Sequence, residues 1–203
     1  KKRRSCKARF LGFNWRNIGF PFYSGNCRND FITMKKLLLI LLCLPMIGFG
    51  QGWKKTLQGS EGRDVQQTTD GGYIITGKKD NDMTLIKTDD NGTEQWSKIF
   101  GGTTNGDYGF SVQQTTDGGY IICGETYSFG NGNSDVYLIK TDDNGLEQWN
   151  QLFGGASFDG GYSVQQTTDG GYVITGYTES FGSGAMNVYL IKTDSNGSIA
   201  IPT

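Results

Sequence analysis

The sequence predicts an all-β chain built from three copies of a four-stranded antiparallel unit. Three observations carry this reading. Residues 65–73 (VQQTTDGGY) return without a change at 112–120 and at 164–172. Residues 87–92 (KTDDNG) return at 140–145 and, with Ser195 replacing one Asp, at 192–197. Between these signatures lie short runs rich in Val, Ile, Thr and Tyr, with no sustained helical periodicity from residue 51 onward. From Asp70 to Asp117 is 47 residues and from Asp117 to Asp169 is 52, so the first copy is the shorter.

The second copy displays each element in turn. Its first strand is expected over 111–115. Asp117-Gly118 then predicts a tight type I′ turn, which needs positive φ at both central residues. The second strand follows over 120–124. A variable loop leads to the third strand over 135–140. Asp143-Asn144-Gly145 makes the next turn, the fourth strand runs over 146–153, and Gly154-Gly155 closes the unit. The second and third strands are continuous apolar runs, as expected of strands covered on both faces. Pro202 is the only proline after residue 50, so no strand is interrupted by one.

The segment before the repeats reads as an address. Met34-Lys35-Lys36 precedes an apolar run that ends in Gly48-Phe49-Gly50. This predicts a secretory signal peptide over 34–50 with cleavage near Gly50/Gln51. The run is short for a membrane span, which needs ~20 residues, and Pro45 interrupts it. A signal-anchor helix is the rival reading. Lipidation at Cys43 is disfavoured because Leu42, not a small residue, precedes it. Residues 1–33 are read as a basic upstream extension outside the mature protein. The mature body is 51–203, with repeats near 51–100, 101–153 and 154–203.

Composition excludes several chemistries. The chain of 203 residues has no His, which removes Ser-His-Asp triads, His-zinc sites and imidazole proton shuttles. Residues 1–33 carry eight basic residues and one acid, whereas 51–203 carry nine basic residues and nineteen acids. An acidic body argues against nucleic-acid binding, which needs clustered Lys and Arg. Cys123 is the only cysteine after residue 50, so the body has no internal disulfide. It stands where the sister copies have Thr76 and Thr175, the place of a small residue packed in a strand.

A repeated four-stranded unit of about 50 residues is the pattern of a β-propeller blade, because one small twisted sheet cannot hide both its faces. The run from Val136 to Trp149 resembles the strand-turn-strand of quinoprotein-type propeller repeats. In those, a Gly-containing turn precedes a Trp that packs between blades. The whole unit, with its QTTDGGYII and KTDxNG signatures, more closely resembles propeller-like repeats of secreted and surface proteins of the Bacteroidetes. That resemblance implies a fold and export, and little about activity. Residues 52–59 align with 95–101, so the body begins on a fourth strand carrying Trp53. Three blades are fewer than the usual four to eight. The readings, in order, are a fragment of a longer product, an open arc, and two chains forming one six-bladed ring.

The expected function is a non-catalytic binding or scaffolding module at the cell surface or outside it, with a protein or glycan partner. A secreted polysaccharide hydrolase or lyase is the alternative. The two hairpin turns of each copy are nearly identical, whereas the loops at 78–82, 126–134 and 178–186, and at 58–63, 101–108 and 154–160, differ. Both sets are expected on one rim, where loops on a rigid frame carry function. Tyr127, Phe129, Phe158, Tyr177 and Phe181 are the candidate ligand contacts there, through stacking on sugar rings or a partner. Phe129 and Phe181 occupy equivalent positions and have a second reading, packing under their own loops. Asn131, Asn133 and Asp135 place oxygens at alternate residues, a pattern that can suit Ca2+. Otherwise no cofactor is expected. The Asp-Asn-Gly turns fail as EF-hand loops, because Lys87, Lys140 and Lys192 stand where the first acid belongs. They faintly resemble the Asp-box of sialidases, a folding element; Arg63 is the only arginine of the body, too few for sialidase chemistry. Asp107, Glu125, Asp159 and Glu179, outside the repeated frame, are the acids a hydrolase would use.

Overall fold

The repeated nonapeptide folds as the end of one strand, a turn and the start of the next. A computed structural model describes residues 52–57, 61–103, 106–183 and 185–199, and every helix or strand among them is a strand. The first sheet is β1 (Glu61–Gln67), β2 (Tyr73–Lys79), β3 (Asp82–Thr88) and β4 (Glu94–Phe100). The second is β5 (Asp107–Gln114), β6 (Tyr120–Thr126), β7 (Asp135–Thr141) and β8 (Glu147–Phe153). The third is β9 (Asp159–Gln166), β10 (Tyr172–Thr178) and β11 (Asn187–Thr193). Each sheet is antiparallel, with strands side by side in chain order. The fourth strand expected in the third sheet falls on 198–203, of which only Ser198 and Ile199 are described. The expected extension and signal peptide, residues 1–50, lie outside the described residues.

The turns correct one expectation. Asp117 does not take positive φ; Gly118 does, at φ 89. Gly118 N–H donates to Thr115 O and Thr115 N–H to Gly119 O, both at 2.9 Å. The loop is therefore a type I turn followed by a left-handed glycine, a G1 bulge, rather than type I′. The Asp side chain explains the choice. Asp117 Oδ1 accepts from Thr115 Oγ1 at 2.5 Å and from Gly119 N–H at 3.1 Å, which holds Asp in an ordinary conformation.

Alternation along β6 and β7 feeds two cores at once. Ile122 and Ile139 join Ile74, Met83 and Leu85 of the first sheet. Their neighbours Ile121 and Leu138 join Val164, Ile174 and Ile191 of the third. This is why both strands read as unbroken apolar runs: each face is covered by another sheet. Full burial of each such side chain stabilises by roughly 1.5–3 kcal/mol, so the sheets hold one another.

Tryptophan repeats the joint. Trp96 of β4 packs edge-on to Tyr120 at 5.9 Å, and Trp149 of β8 to Tyr172 at 5.7 Å. Trp53 meets Tyr73 in the same way at 5.6 Å. Residues 52–57 thus rest on the first sheet as β4 rests on the second. The approach is close enough to require glycine: a Cβ on Gly92, Gly145 or Gly197 would lie 2.4, 2.6 or 2.7 Å from Trp53, Trp96 or Trp149.

The repeated Gln pair clasps the first strands together. Gln66 Oε1 accepts Gln114 N–H and Gln113 Oε1 accepts Gln166 N–H, both at 2.6 Å. In return Gln114 Oε1 accepts Thr69 N–H at 2.8 Å and Gln166 Oε1 accepts Thr116 N–H at 2.9 Å. Backbone groups along these strand edges are therefore satisfied by side chains of the neighbouring sheet.

Candidate functional site

Each first strand carries a β-bulge at the same place. The pairing shifts between Gly62 and Asp64, between Gly109 and Ser111, and opposite Thr175/Gly176 in the third sheet. The residues left unpaired are Arg63, Phe110 and Tyr162. The bulge needs a glycine beneath it: a Cβ on Gly77, Gly124 or Gly176 would lie 1.7, 1.8 or 1.9 Å from the carbonyl oxygen of Glu61, Tyr108 or Gly160. Bulges re-aim side chains. Here they turn three equivalent residues toward one another.

Arg63 lies over the Phe110 ring at 4.7 Å and the Tyr108 ring at 5.1 Å. Phe110 meets Tyr162 edge-on at 5.4 Å, and Tyr162 meets Tyr177 at 5.4 Å. Tyr108 contacts Tyr127 at 6.0 Å, and Tyr127 contacts Phe158 at 6.5 Å. Lys78 Nζ donates to Tyr108 Oη at 3.2 Å and stands 4.5 Å from the ring centre. The result is a continuous aromatic surface across the second and third sheets, with two cations of the first sheet at its end. Tyr162 is half exposed and Phe158 nearly so.

Glu125 is the anchor beneath this surface. It is buried and accepts from Tyr177 Oη at 2.9 Å. Burial, then the hydrogen bond to Glu125, pushes the Tyr127 hydroxyl up to about 12, so it stays a neutral donor. The Tyr177 hydroxyl is raised for the same reasons. Of the expected ligand contacts, Tyr127, Phe158 and Tyr177 join the surface. Phe129 packs on Tyr137 at 5.7 Å and Phe181 on Tyr189 at 5.8 Å, each within its own repeat. Tyr108, Phe110, Tyr162, Arg63 and Lys78 escaped the sequence reading. Their signal is that Arg63, Phe110 and Tyr162 form one variable column inside an otherwise repeated strand.

The two loop sets share a rim and interlock. Asp107 N–H donates to Asn81 O at 2.7 Å, and Asp159 N–H to Ser134 O at 3.0 Å. The acids a hydrolase would use divide among three environments. Asp107 and Asp159 are buried where sheets meet, Glu125 is buried under tyrosines, and Glu179 is exposed. The alternating set Asn131, Asn133, Asp135 is divided by burial. Both asparagines are exposed, while Asp135 is buried and accepts Asn131 N–H at 2.8 Å. Burial and the charge of Asp159 raise the Asp135 carboxyl. Cys123 is a free, fully buried thiol, and burial pushes its pKa far up. A cavity of about 300 Å³ lies between residues 55–57 and Glu61, Gly62, Ile75, Thr84 and Ile86 of the first sheet.

No protein-family model and no curated protein matches the chain.

Proposed function

We propose that the chain is a non-catalytic binding module of propeller-type blades that acts at the cell surface or outside it and stacks its aromatic surface on glycan rings. The observation that carries this is the bulge-borne line of Arg63, Phe110 and Tyr162 joined to Tyr108, Tyr127 and Tyr177. Flat aromatic faces beside tyrosine hydroxyls and a guanidinium suit sugar rings, which are apolar on their faces and polar at their edges. The resemblance of the repeat signatures to exported surface-protein repeats, and the charged-then-apolar stretch at 34–50, support the location. An array of glycans, followed by titration of any positive, tests the reading. Phe110→Ala and Tyr162→Ala should each weaken binding at least tenfold while leaving the unfolding midpoint little changed. Glycan hydrolysis by the purified chain, or binding indifferent to both substitutions, would overturn it.

The scaffolding part of the proposal rests on β11. One edge pairs with β10, and Val188 and Leu190 on it are 83% and 70% exposed. Residues 52–57 carry the fourth-strand pattern, and we place that segment of a second copy on β11. Light scattering should then give a dimer, whose loss on Trp53→Ala would support the pairing; a monomer at all concentrations refutes it.

A further inference from the structure

Two pairs of aspartates face each other where the sheets meet. At the first junction Asp82, opening β3, and Asp107, opening β5, converge on Gly101. A Cβ there would lie 2.4 Å from Asp82 Oδ1 and 2.6 Å from Asp107 Oδ2. At the second junction Asp135, opening β7, and Asp159, opening β9, converge on Gly154. The corresponding distances are 1.9 Å to Asp135 Oδ1 and 2.7 Å to Asp159 Oδ2. Asp107 and Asp159 are 0% exposed and Asp135 is 3% exposed.

Donors reach one oxygen of each inner carboxylate. Asp107 Oδ2 accepts Ser128 Oγ–H at 2.8 Å and Gly102 N–H at 3.1 Å. Asp159 Oδ2 accepts Ser180 Oγ–H at 2.5 Å and Gly155 N–H at 2.8 Å. The other oxygen, Oδ1, of Asp107 and of Asp159 is buried without a hydrogen-bond partner, and so is Asp82 Oδ1. The lysines and arginine that form ion pairs among the described residues pair with other acids. Burying an anion without a counter-charge costs several kcal/mol, and here it is done twice with the same geometry.

The repeat alignment adds an independent point. Each inner acid stands five residues before the Val of VQQTTDGG, and each outer acid five before the Lys of KTDxNG. In the first repeat the former position is Ser60, and in the third the latter is Asn187. Acids therefore fill both columns only where two sheets of this chain meet. Turn chemistry would place them in every copy.

We propose that each junction binds one calcium ion between its two aspartates, Asp82 with Asp107 and Asp135 with Asp159. The donors are oxygens alone, which suits a hard cation. A pair of carboxylates is fewer than the three acidic or soft ligands of a protein-only cage, and no such cluster exists among the described residues. Serine hydroxyls, backbone carbonyls and water complete the shell. Calcium tolerates this irregular shell better than magnesium, which demands near-octahedral geometry. The ion would tie the third strand of one sheet to the first strand of the next, so that sheet-to-sheet cohesion depends on calcium.

The test is calcium titration of the full chain by calorimetry, with thermal unfolding in calcium, in magnesium and in EDTA. Two calcium ions per chain are expected, and saturation should raise the melting temperature by roughly 10 °C over EDTA. Magnesium at the same concentration should not reproduce the shift. Terbium should bind at the same sites and be sensitised by Tyr189, which lies close enough to Asp159 and Asp135 to feel their charge. Asp107→Asn and Asp135→Asn should each remove one equivalent. In EDTA both variants should be at least as stable as the parent, because each relieves an uncompensated charge; this separates loss of a ligand from loss of the fold. An unchanged melting temperature in calcium and EDTA would overturn the proposal, and so would two equivalents retained in both variants. A calcium-independent gain of stability on mild acidification that both substitutions abolish would also overturn it, since the pairs would then share a proton instead.

Discussion

Lys140 and Lys192 occupy the same position in successive repeats, share an aspartate and a threonine carbonyl as equivalent partners, and differ in cover. Lys140 Nζ meets Asp117 Oδ2 at 2.9 Å and donates to Thr141 O at 2.8 Å and Gln148 Oε1 at 3.2 Å. Its side chain is 4% exposed. Lys192 Nζ meets Asp169 Oδ2 at 2.8 Å and donates to Thr193 O at 2.9 Å, but its side chain is 47% exposed. In the second sheet β8 supplies Gln148 and covers the lysine, whereas the described residues of the third sheet include no fourth strand. Replacement by Met keeps the stem and deletes the charged head. In Lys140→Met the Thr141 carbonyl loses its ammonium donor inside the sheet and a charge-assisted bond disappears. An unmet buried acceptor costs about 1–3 kcal/mol and a bond to a charged group is worth about 1.5–3 kcal/mol. Against these stands the relief of desolvating one ammonium. Asp117, whose side chain is 57% exposed, is left in water rather than stranded. A net loss of about 2 kcal/mol is expected. With a urea slope of about 2 kcal/mol/M, the midpoint should fall by about 1 M. Lys192→Met should move the midpoint far less, because water already surrounds the pair. Equal shifts in the two variants, or none in Lys140→Met, would refute the idea that strand cover sets the worth of these lysines.

Two further predictions follow from the same repeats. Gly118 and Gly145 both have positive φ, 89 and 73, yet only Gly145 faces Trp96, whereas a Cβ on Gly118 would meet nothing within 4 Å. Gly118→Ala should cost about 1 kcal/mol of backbone strain and Gly145→Ala clearly more, measured as urea midpoints; equal costs would exclude the Trp contact as the reason for glycine. Acid should weaken the chain through the turn aspartates. The Lys87 ammonium and then the Thr68 hydroxyl hold Asp70 at about 2, and Asp117 is lowered because Thr115 and Lys140 outweigh the effect of burial. A carboxyl depressed in the fold contributes stability above its unfolded pKa near 3.9 and loses it as pH falls through the folded value. Stability should therefore drop between about pH 4 and pH 2, and Lys140→Met should flatten part of that drop. A parent profile level across the window would contradict the assignment.

The all-β class, the three copies and the strand order within each sheet were legible in the residues. Hydrophobic patterning and Gly-containing turns are local, and the identical nonapeptide forms the same turn hydrogen bonds in each sheet. The type I′ expectation at Asp117-Gly118 failed because dipeptide preference omits the side chain. The Asp carboxylate bonds its own turn and leaves only Gly118 left-handed.

What the sequence by itself determined is therefore the unit: its strands, its glycines and the Trp that joins it to the next. What only the tertiary structure decided is what identical residues do in unequal company. Val65 is exposed while Val112 and Val164 are buried, though the nine residues beginning at each are the same. Arg63, Phe110 and Tyr162 become one surface, and Asp107 finds Asp82, only when whole sheets are laid on one another. Burial and charge pairing are sums over neighbours about 25 to 50 residues away, and no short window along the chain contains those neighbours.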